Sequence, residues 1–227
     1  LGVPYTTAWD ALERSLVTAQ TRLLVIGGGA VGSAALALAK VRGAQVLAAA
    51  RRPEQVQQLR AQGYQTLQLD KPEELGAQVN AVYAGGADVI FDTTGFWLPA
   101  SVQALATFGR IAIIAAPVDG MVQLPALALY RKGGSVVGIN SLLYGVQACA
   151  AMLDQFGTFF DQGLLPLPQG LFESPLAEGL ERYAEVSGRQ VDDIDYYCVL
   201  AKWKLAVVLE QGFARAGEDP KLQAFGD

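Results

Sequence analysis

The sequence predicts an α/β protein: a doubly wound, six-stranded parallel sheet in the order 3-2-1-4-5-6, with a helical appendage at its C-terminal end. Three observations predict it. Short, near-continuous apolar runs alternate with helix-like segments from Arg22 to Ile139, and only burial on both faces tolerates such strands. Three consecutive glycines, Gly27 to Gly29, separate the first run from a long, uninterrupted helix-like one. The alternation stops at LLPLPQG, Leu164 to Gly170, where two prolines and a glycine mark a boundary.

Taken in order, Arg22–Ile26 is a β-rich run and Val31–Arg42 an alanine-rich helix that Gly43 stops. Gln45–Ala49 is the second strand, Pro53–Gln62 a helix with proline in its first turn, and Gln65–Leu69 the third strand. Pro72–Tyr83 is helical, and ADVIFD (Ala87–Asp92) is a buried strand. A helix near Pro99–Thr107 then leads to the strand RIAIIA (Arg110–Ala115). Ser135–Ile139 is the sixth strand, and a helix follows near Val146–Phe160. Past the boundary, Ser174 and Pro175 open a helix that ends at Ser187-Gly188, and Asp192 and Asp193 start another. Its apolar stripe runs through Ile194, Tyr197, Ala201, Leu205, Val208 and Gly212.

Composition narrows the chemistry. With 227 residues, 52% hydrophobic and 17% charged, the chain can bury a substantial core. Its net charge of -5 offers no general attraction to nucleic acid or to an anionic membrane. The uncharged run Leu23–Ala39 falls short of the roughly 20 residues that span a bilayer, and its glycines suit a turn. No histidine is present, which removes Ser-His-Asp triads and histidine acid–base chemistry and takes away the commonest zinc ligand. Two distant cysteines, Cys149 and Cys198, suit a reducing cytoplasm, and no export signal precedes the fold, so a cytoplasmic location is expected. Because Leu1 falls within what reads as mid-domain sequence, something upstream is also expected.

Gly27, Gly29 and Gly32 form a G-x-G-x-x-G pattern directly after a strand and at the head of a helix, the Rossmann setting. There the first glycine permits the tight turn, the second lets backbone approach a pyrophosphate, and the third lets helix pack on strand. The amides of Ala30, Val31 and Gly32, at the positive end of the helix, would hold the anion. A turn that merely joins strand to helix is the plain alternative, and methyltransferases also place glycines after a first strand. Methyltransferases and NAD-specific enzymes usually want an acidic group at the end of the second strand to hold ribose hydroxyls. Ala50 stands at that position, followed by Arg51 and Arg52. A guanidinium matches a phosphate and can stack on adenine, so the pair points to the 2′-phosphate of NADP(H); solvated surface is the other fate open to it.

Several landmarks fall in one order: VPYTTAWDAL, VIGGGAVG, DVIFDTTG, GRIAIIAAP and VVGINSLL. With them the chain resembles, over about Leu1 to Pro168, the nucleotide-binding domain of the medium-chain dehydrogenase/reductase superfamily. Within it the likeness is to the zinc-free, zeta-crystallin-like quinone oxidoreductase branch. The resemblance implies an interdomain helix remnant over residues 1–20, a dinucleotide-binding domain over 21–165 and a separate helical tail over 171–227. It implies that Thr94 and Gly95 border the adenosine half of the cofactor and that Ala115 and Ala116 pass beside the nicotinamide. Asn140 and Ser141 would lie near its carboxamide, and Thr7 would approach the ring. Thr94 can equally cap its loop, Asn140 can satisfy turn backbone and Thr7 can simply pack.

The sequence departs from that pattern in two places. Gln55 stands where many relatives keep a lysine, which leaves a 2′-phosphate to Arg51 and Arg52 alone, and the GroES-like catalytic domain of the family is not in this sequence. The tail segments LERYAEVSGRQVDDIDYY and LAKWKLAVVLEQGFARAGEDP resemble the C-terminal helices of aminoglycoside-phosphotransferase-like proteins, without that family's phosphate-transfer motifs. Asp192, Asp193 and Asp195 read as first-turn residues that favour the helix dipole. Three functions stay open: an NADPH-dependent oxidoreductase delivering hydride to a quinone or enone, a nucleotide-binding module without turnover, and a phosphotransferase-related fragment. No catalytic residue and no metal ligand is assigned. The run Ser135–Asn140 would form an apolar sheet edge, so a homodimer is expected unless the tail covers it.

Overall fold

In the computed structural model, residues 2–165 are described. The expected tail over 171–227, with its acidic first turn and apolar stripe, lies outside the described residues. The elements run α1 (Gly2–Arg14), β1 (Arg22–Ile26), α2 (Ala30–Val41), β2 (Gln45–Ala50), α3 (Pro53–Ala61), β3 (Gln65–Gln68), α4 (Leu75–Val82) and β4 (Ala87–Asp92). They continue with α5 (Leu98–Ala104), β5 (Leu105–Ile113), α6 (Ala126–Arg131), β6 (Ser135–Gly138) and α7 (Val146–Asp161). The six strands form one sheet in the order β3-β2-β1-β4-β5-β6, every neighbouring pair parallel. The expected doubly wound fold is therefore the observed one, and β6 is an edge strand.

The sheet divides the interior into two cores. Because side chains alternate along a strand, Leu23 and Val25 of β1 face one core while Leu24 and Ile26 face the other. Ala48, Ala50, Val89, Phe91 and Ala112 join the first core, with α1, α2 and α7 over them. Leu47, Ala49, Ile90 and Ile111 join the second, under α4 and α5. This two-sided burial is what the unbroken apolar strands foretold. Helix α2 is buried almost all round: Ala34, Ala35, Leu36, Ala37, Leu38 and Ala39 are all inside, between the sheet and α1. At the opposite end of the sheet from the glycine turn, Arg22 at the start of β1 grips Asp88 of β4 with two guanidinium bonds of 2.6 and 3.0 Å.

Two elements differ from expectation. The helix expected over Pro99–Thr107 stops at Ala104, and the strand expected over Arg110–Ala115 spans Leu105–Ile113. Between them β5 bulges, since Ala87 pairs with Leu105 but Val89 pairs with Arg110. Lys132 is the physical reason: its ammonium donates to the carbonyls of Gln103 and Leu105, taking acceptors that a continuing helix would use. Helix α6 is the second difference. It has only six residues and none is buried, so it leaves no periodic apolar signal.

Helix α1 ends in a Schellman turn, with Val17 N donating to Leu12 O and Leu16 N to Glu13 O, both at 2.9 Å. Leu16 holds the left-handed position at φ 57° and is 62% exposed. Glycine is the residue that adopts this conformation without strain. Leu16→Gly is therefore expected to stabilise the protein by up to about 1 kcal/mol, or about 2–4 °C in Tm. Calorimetry checks this, and a fall in Tm would mean that the leucine side chain holds a contact worth more than the strain.

Candidate functional site

The turn from β1 to α2 is made of glycines, and they are there for different reasons. Gly27 has φ +114°, and a Cβ on it would stand 2.1 Å from Thr93 Oγ1. Its amide donates to Ala49 O at 2.8 Å, tying the turn to β2. A Cβ on Gly32 would stand 1.9 Å from Gly27 O, so helix and turn meet without room for a methyl group. Gly29 differs. As the N-cap of α2 it has φ -83° and ψ -172°, open to any residue, and a Cβ there would meet nothing within 4 Å. No side chain of the described residues caps this helix, so the amides of Ala30, Val31 and Gly32, which no helical turn can satisfy, stand at its positive end without a capping partner. Across Gly28 lies Gln55, whose Cβ would be 3.3 Å from an added methyl.

Strand β2 ends at buried Ala50, and Arg51 and Arg52 follow as exposed residues, Arg52 serving as N-cap of α3. Neither has a hydrogen bond or ion pair among the described residues. Arg14, Arg22, Arg42 and Arg60 have partners, whereas Arg110 and Arg131, like Arg51 and Arg52, have none among the described residues. Two unengaged guanidinium groups thus stand one strand away from the glycine turn.

At the end of β4 the buried carboxylate of Asp92 organises the DTTG loop. Its Oδ1 accepts from Thr94 N (2.9 Å), Thr94 Oγ1 (2.8 Å) and Gly95 N (3.1 Å), and its Oδ2 from Trp97 N (2.9 Å). Thr94 is thereby engaged as a loop cap, its hydroxyl also accepting from Phe96 N at 3.2 Å. Thr93 donates to Ile26 O at 2.8 Å and fills the space that a Gly27 side chain would need. Gly95, at φ +72°, lets the next loop close in: a Cβ would stand 2.0 Å from Ala115 O. Sequence reasoning assigned no role to Asp92. The available signal was an ionisable residue ending an otherwise apolar buried strand just before T-T-G, since a buried carboxylate needs donors.

Ala115 and Ala116 are exposed in the loop after β5. Asn140, after β6, accepts from Leu142 N at 3.1 Å and so caps the short 3-10 turn Ser141–Leu143. Thr7 of α1 and Ser141, both of which the resemblance brings to the nicotinamide end, meet through their hydroxyls at 2.7 Å. Since all strands are parallel, the arginines, the glycine turn, Thr94, Ala115 and Asn140 follow the carboxyl ends of β2, β1, β4, β5 and β6 along one edge of the sheet. They line up across about four strand spacings, roughly 19 Å. The strand order reverses between β1 and β4, in the middle of that row, where open α/β sheets bind their ligands.

Residues 30–157, more than half of the sequence, match the family described as zinc-binding dehydrogenase. The chain belongs to the zinc-binding dehydrogenase family. Among the described residues no group of three or more His, Cys, Asp or Glu side chains could hold a metal ion, and no helix is long and apolar enough to cross a membrane. A zinc-type alcohol dehydrogenase-like protein of Schizosaccharomyces pombe is 29% identical over 171 residues, covering 72% of this chain and 48% of that protein. The chain thus spans about half the length of that dehydrogenase relative. Similar solved structures fall in the medium-chain dehydrogenase/reductase superfamily. An alcohol dehydrogenase superfamily protein from Novosphingobium aromaticivorans shares 28% identity with a TM-score of 0.65, over 83% of this chain and 58% of that one. A domain assigned as the enoyl reductase of a polyketide synthase shares the fold at 24% identity and TM-score 0.63, over 74% of this chain and 98% of that one.

Proposed function

We propose that this chain is the dinucleotide-binding part of an NADPH-dependent reductase of the quinone oxidoreductase type, with a quinone or an enone as electron acceptor. One observation carries the reading: the space over Gly29, beside uncapped helix amides, is claimed by no atom of the described residues. Packing explains Gly27 and Gly32 but leaves Gly29 unexplained, and a pyrophosphate brought close to the backbone supplies the missing reason. The amides of Ala30 to Gly32 hold that anion, with the helix dipole adding to the attraction. Arg51 and Arg52, unengaged, place charge-assisted donors for a 2′-phosphate at the end of β2. Thr94 and Gly95, Ala115, and Asn140 continue the cleft toward the nicotinamide, which when bound supplies the hydride. A binding module without turnover is the second reading.

The test is a titration with NADPH and NADH side by side, repeated on Arg51→Ala, Arg52→Ala and Gly29→Ala. NADPH is expected to bind the wild type more tightly. Each arginine substitution should weaken NADPH about tenfold or more while sparing NADH, since a bond to a charged group is worth about 1.5–3 kcal/mol. Gly29→Ala should weaken both nucleotides without lowering Tm, because the added methyl meets no atom of the described residues. Equal affinities that ignore both arginines would remove the NADP assignment, and binding that ignores Gly29→Ala would remove the pyrophosphate site. NADPH oxidation that depends on added quinone separates the enzyme from the module.

A further inference from the structure

Thr7, Asp10 and Arg14 lie on one face of α1, three and four residues apart. All three reach the segment that leaves β6. Arg14 Nη1 donates to Gly138 O at 2.5 Å, the Thr7 and Ser141 hydroxyls meet at 2.7 Å, and Tyr144 donates its hydroxyl proton to Asp10 Oδ1 at 2.5 Å. The first falls at the last residue of β6 and the other two on and just beyond the 3-10 turn that Asn140 caps. That turn has little else to hold it. Leu142 and Leu143 are 83% and 69% exposed, so no apolar anchor pulls it down between Ile139 and the start of α7.

Asp10 is the costly member of this set. It is 1% exposed, and its Oδ2 has no hydrogen-bond partner among the described residues. A buried carboxylate with one acceptor unused adds little net stability compared with an apolar side chain of the same size. What it supplies is a fixed point for one donor. The bond to Asp10 also raises the Tyr144 hydroxyl above the ordinary phenol value, with burial and nearby Glu13 pushing the same way and Arg14 opposing, so Tyr144 remains a donor at neutral pH.

We propose that Asp10 and Tyr144 form a positioning pair that fixes the Asn140–Ser141 turn over the carboxyl end of the sheet and thereby shapes the nicotinamide end of the cofactor cleft. This rests on the function proposed above. The pair touches no reacting atom; it acts through Asn140 and Ser141. Its loss should therefore be felt by a ligand that extends to β6 and ignored by one that stops at β1 and β2.

The experiment compares Tyr144→Phe, Asp10→Leu and Asp10→Asn with the wild-type chain. Amide hydrogen exchange over residues 138–145 is read together with the affinities for NADPH and for adenosine 2′,5′-bisphosphate, which lacks the nicotinamide half. Tyr144→Phe and Asp10→Leu should each speed exchange in that segment and weaken NADPH, both by about tenfold, for the loss of one hydrogen bond. Exchange over residues 22–41 and affinity for the bisphosphate should not change. Asp10→Asn keeps an acceptor for Tyr144 and should stay close to wild type. Equal behaviour of Asp10→Asn and Asp10→Leu would overturn the proposal, as would faster exchange in Tyr144→Phe with NADPH affinity unmoved. A wild-type chain that binds neither nucleotide sinks the functional reading and the pair's role in the cleft with it. Binding of the bisphosphate with no response of NADPH to any variant sinks the pair alone.

Discussion

Gly32→Ala is expected to destabilise the protein by about 3 kcal/mol or more, although alanine normally adds about 1 kcal/mol over glycine inside a helix. The new methyl would stand 1.9 Å from Gly27 O and 3.0 Å from its carbon, both backbone atoms of a turn already fixed by its amide bond to Ala49. Relief would require α2 to lift from β1, and α2 carries six consecutive buried residues, Ala34 to Ala39. Gly157 of α7, where a Cβ would meet nothing within 4 Å, serves as control: Gly157→Ala should be stabilising. Urea melts of the two variants give opposite signs if this is right. A Gly32→Ala protein as stable as the wild type would mean that the turn relaxes easily and that the close approach is not required.

Asp92→Ala is expected to cost about 3–5 kcal/mol. Three buried or loop amides, those of Thr94, Gly95 and Trp97, and the Thr94 hydroxyl would all lose their acceptor together. Asp92→Asn should fall between, because its NH2 group replaces one of the two acceptors and turns a donor toward a donor. The loop also carries Thr93, whose hydroxyl bond to Ile26 O sits against Gly27, so nucleotide affinity should drop even where the variant remains folded. Guanidinium melts and NADPH titrations on both variants test this. A loss under about 1 kcal/mol for Asp92→Ala would show that water replaces the carboxylate and that the loop does not depend on it.

The fold could be read from the sequence because its signals are local. The four residues of β1 after Arg22 are apolar, β4 has a similar apolar run in ADVIFD, and the glycines fall between strand and helix, so strand identity, order and the site's edge followed. The end of α5 was not readable, because it is decided by Lys132, 27 residues beyond Leu105 in the chain. The site was legible to the same depth. Gly27 and Gly32 announce themselves by spacing, and Arg51 and Arg52 by their place after a strand. The contact of Thr7 with Ser141 and of Asp10 with Tyr144 spans 134 residues, and no local pattern encodes it. Asp92 stands in plain view in the sequence, but its meaning depends on the loop amides that turn back toward it.

Helix α2 has consequences for where this chain can be divided. With sheet on one flank and α1 on the other, it has almost no wettable surface of its own, only Ser33, Lys40 and its first residue being exposed. Residues 2–14 therefore act as the outer wall of the nucleotide fold as well as its lead-in. A cut at residue 21, where the family resemblance starts the dinucleotide-binding domain, would strip that wall and bare an oily seam along α2.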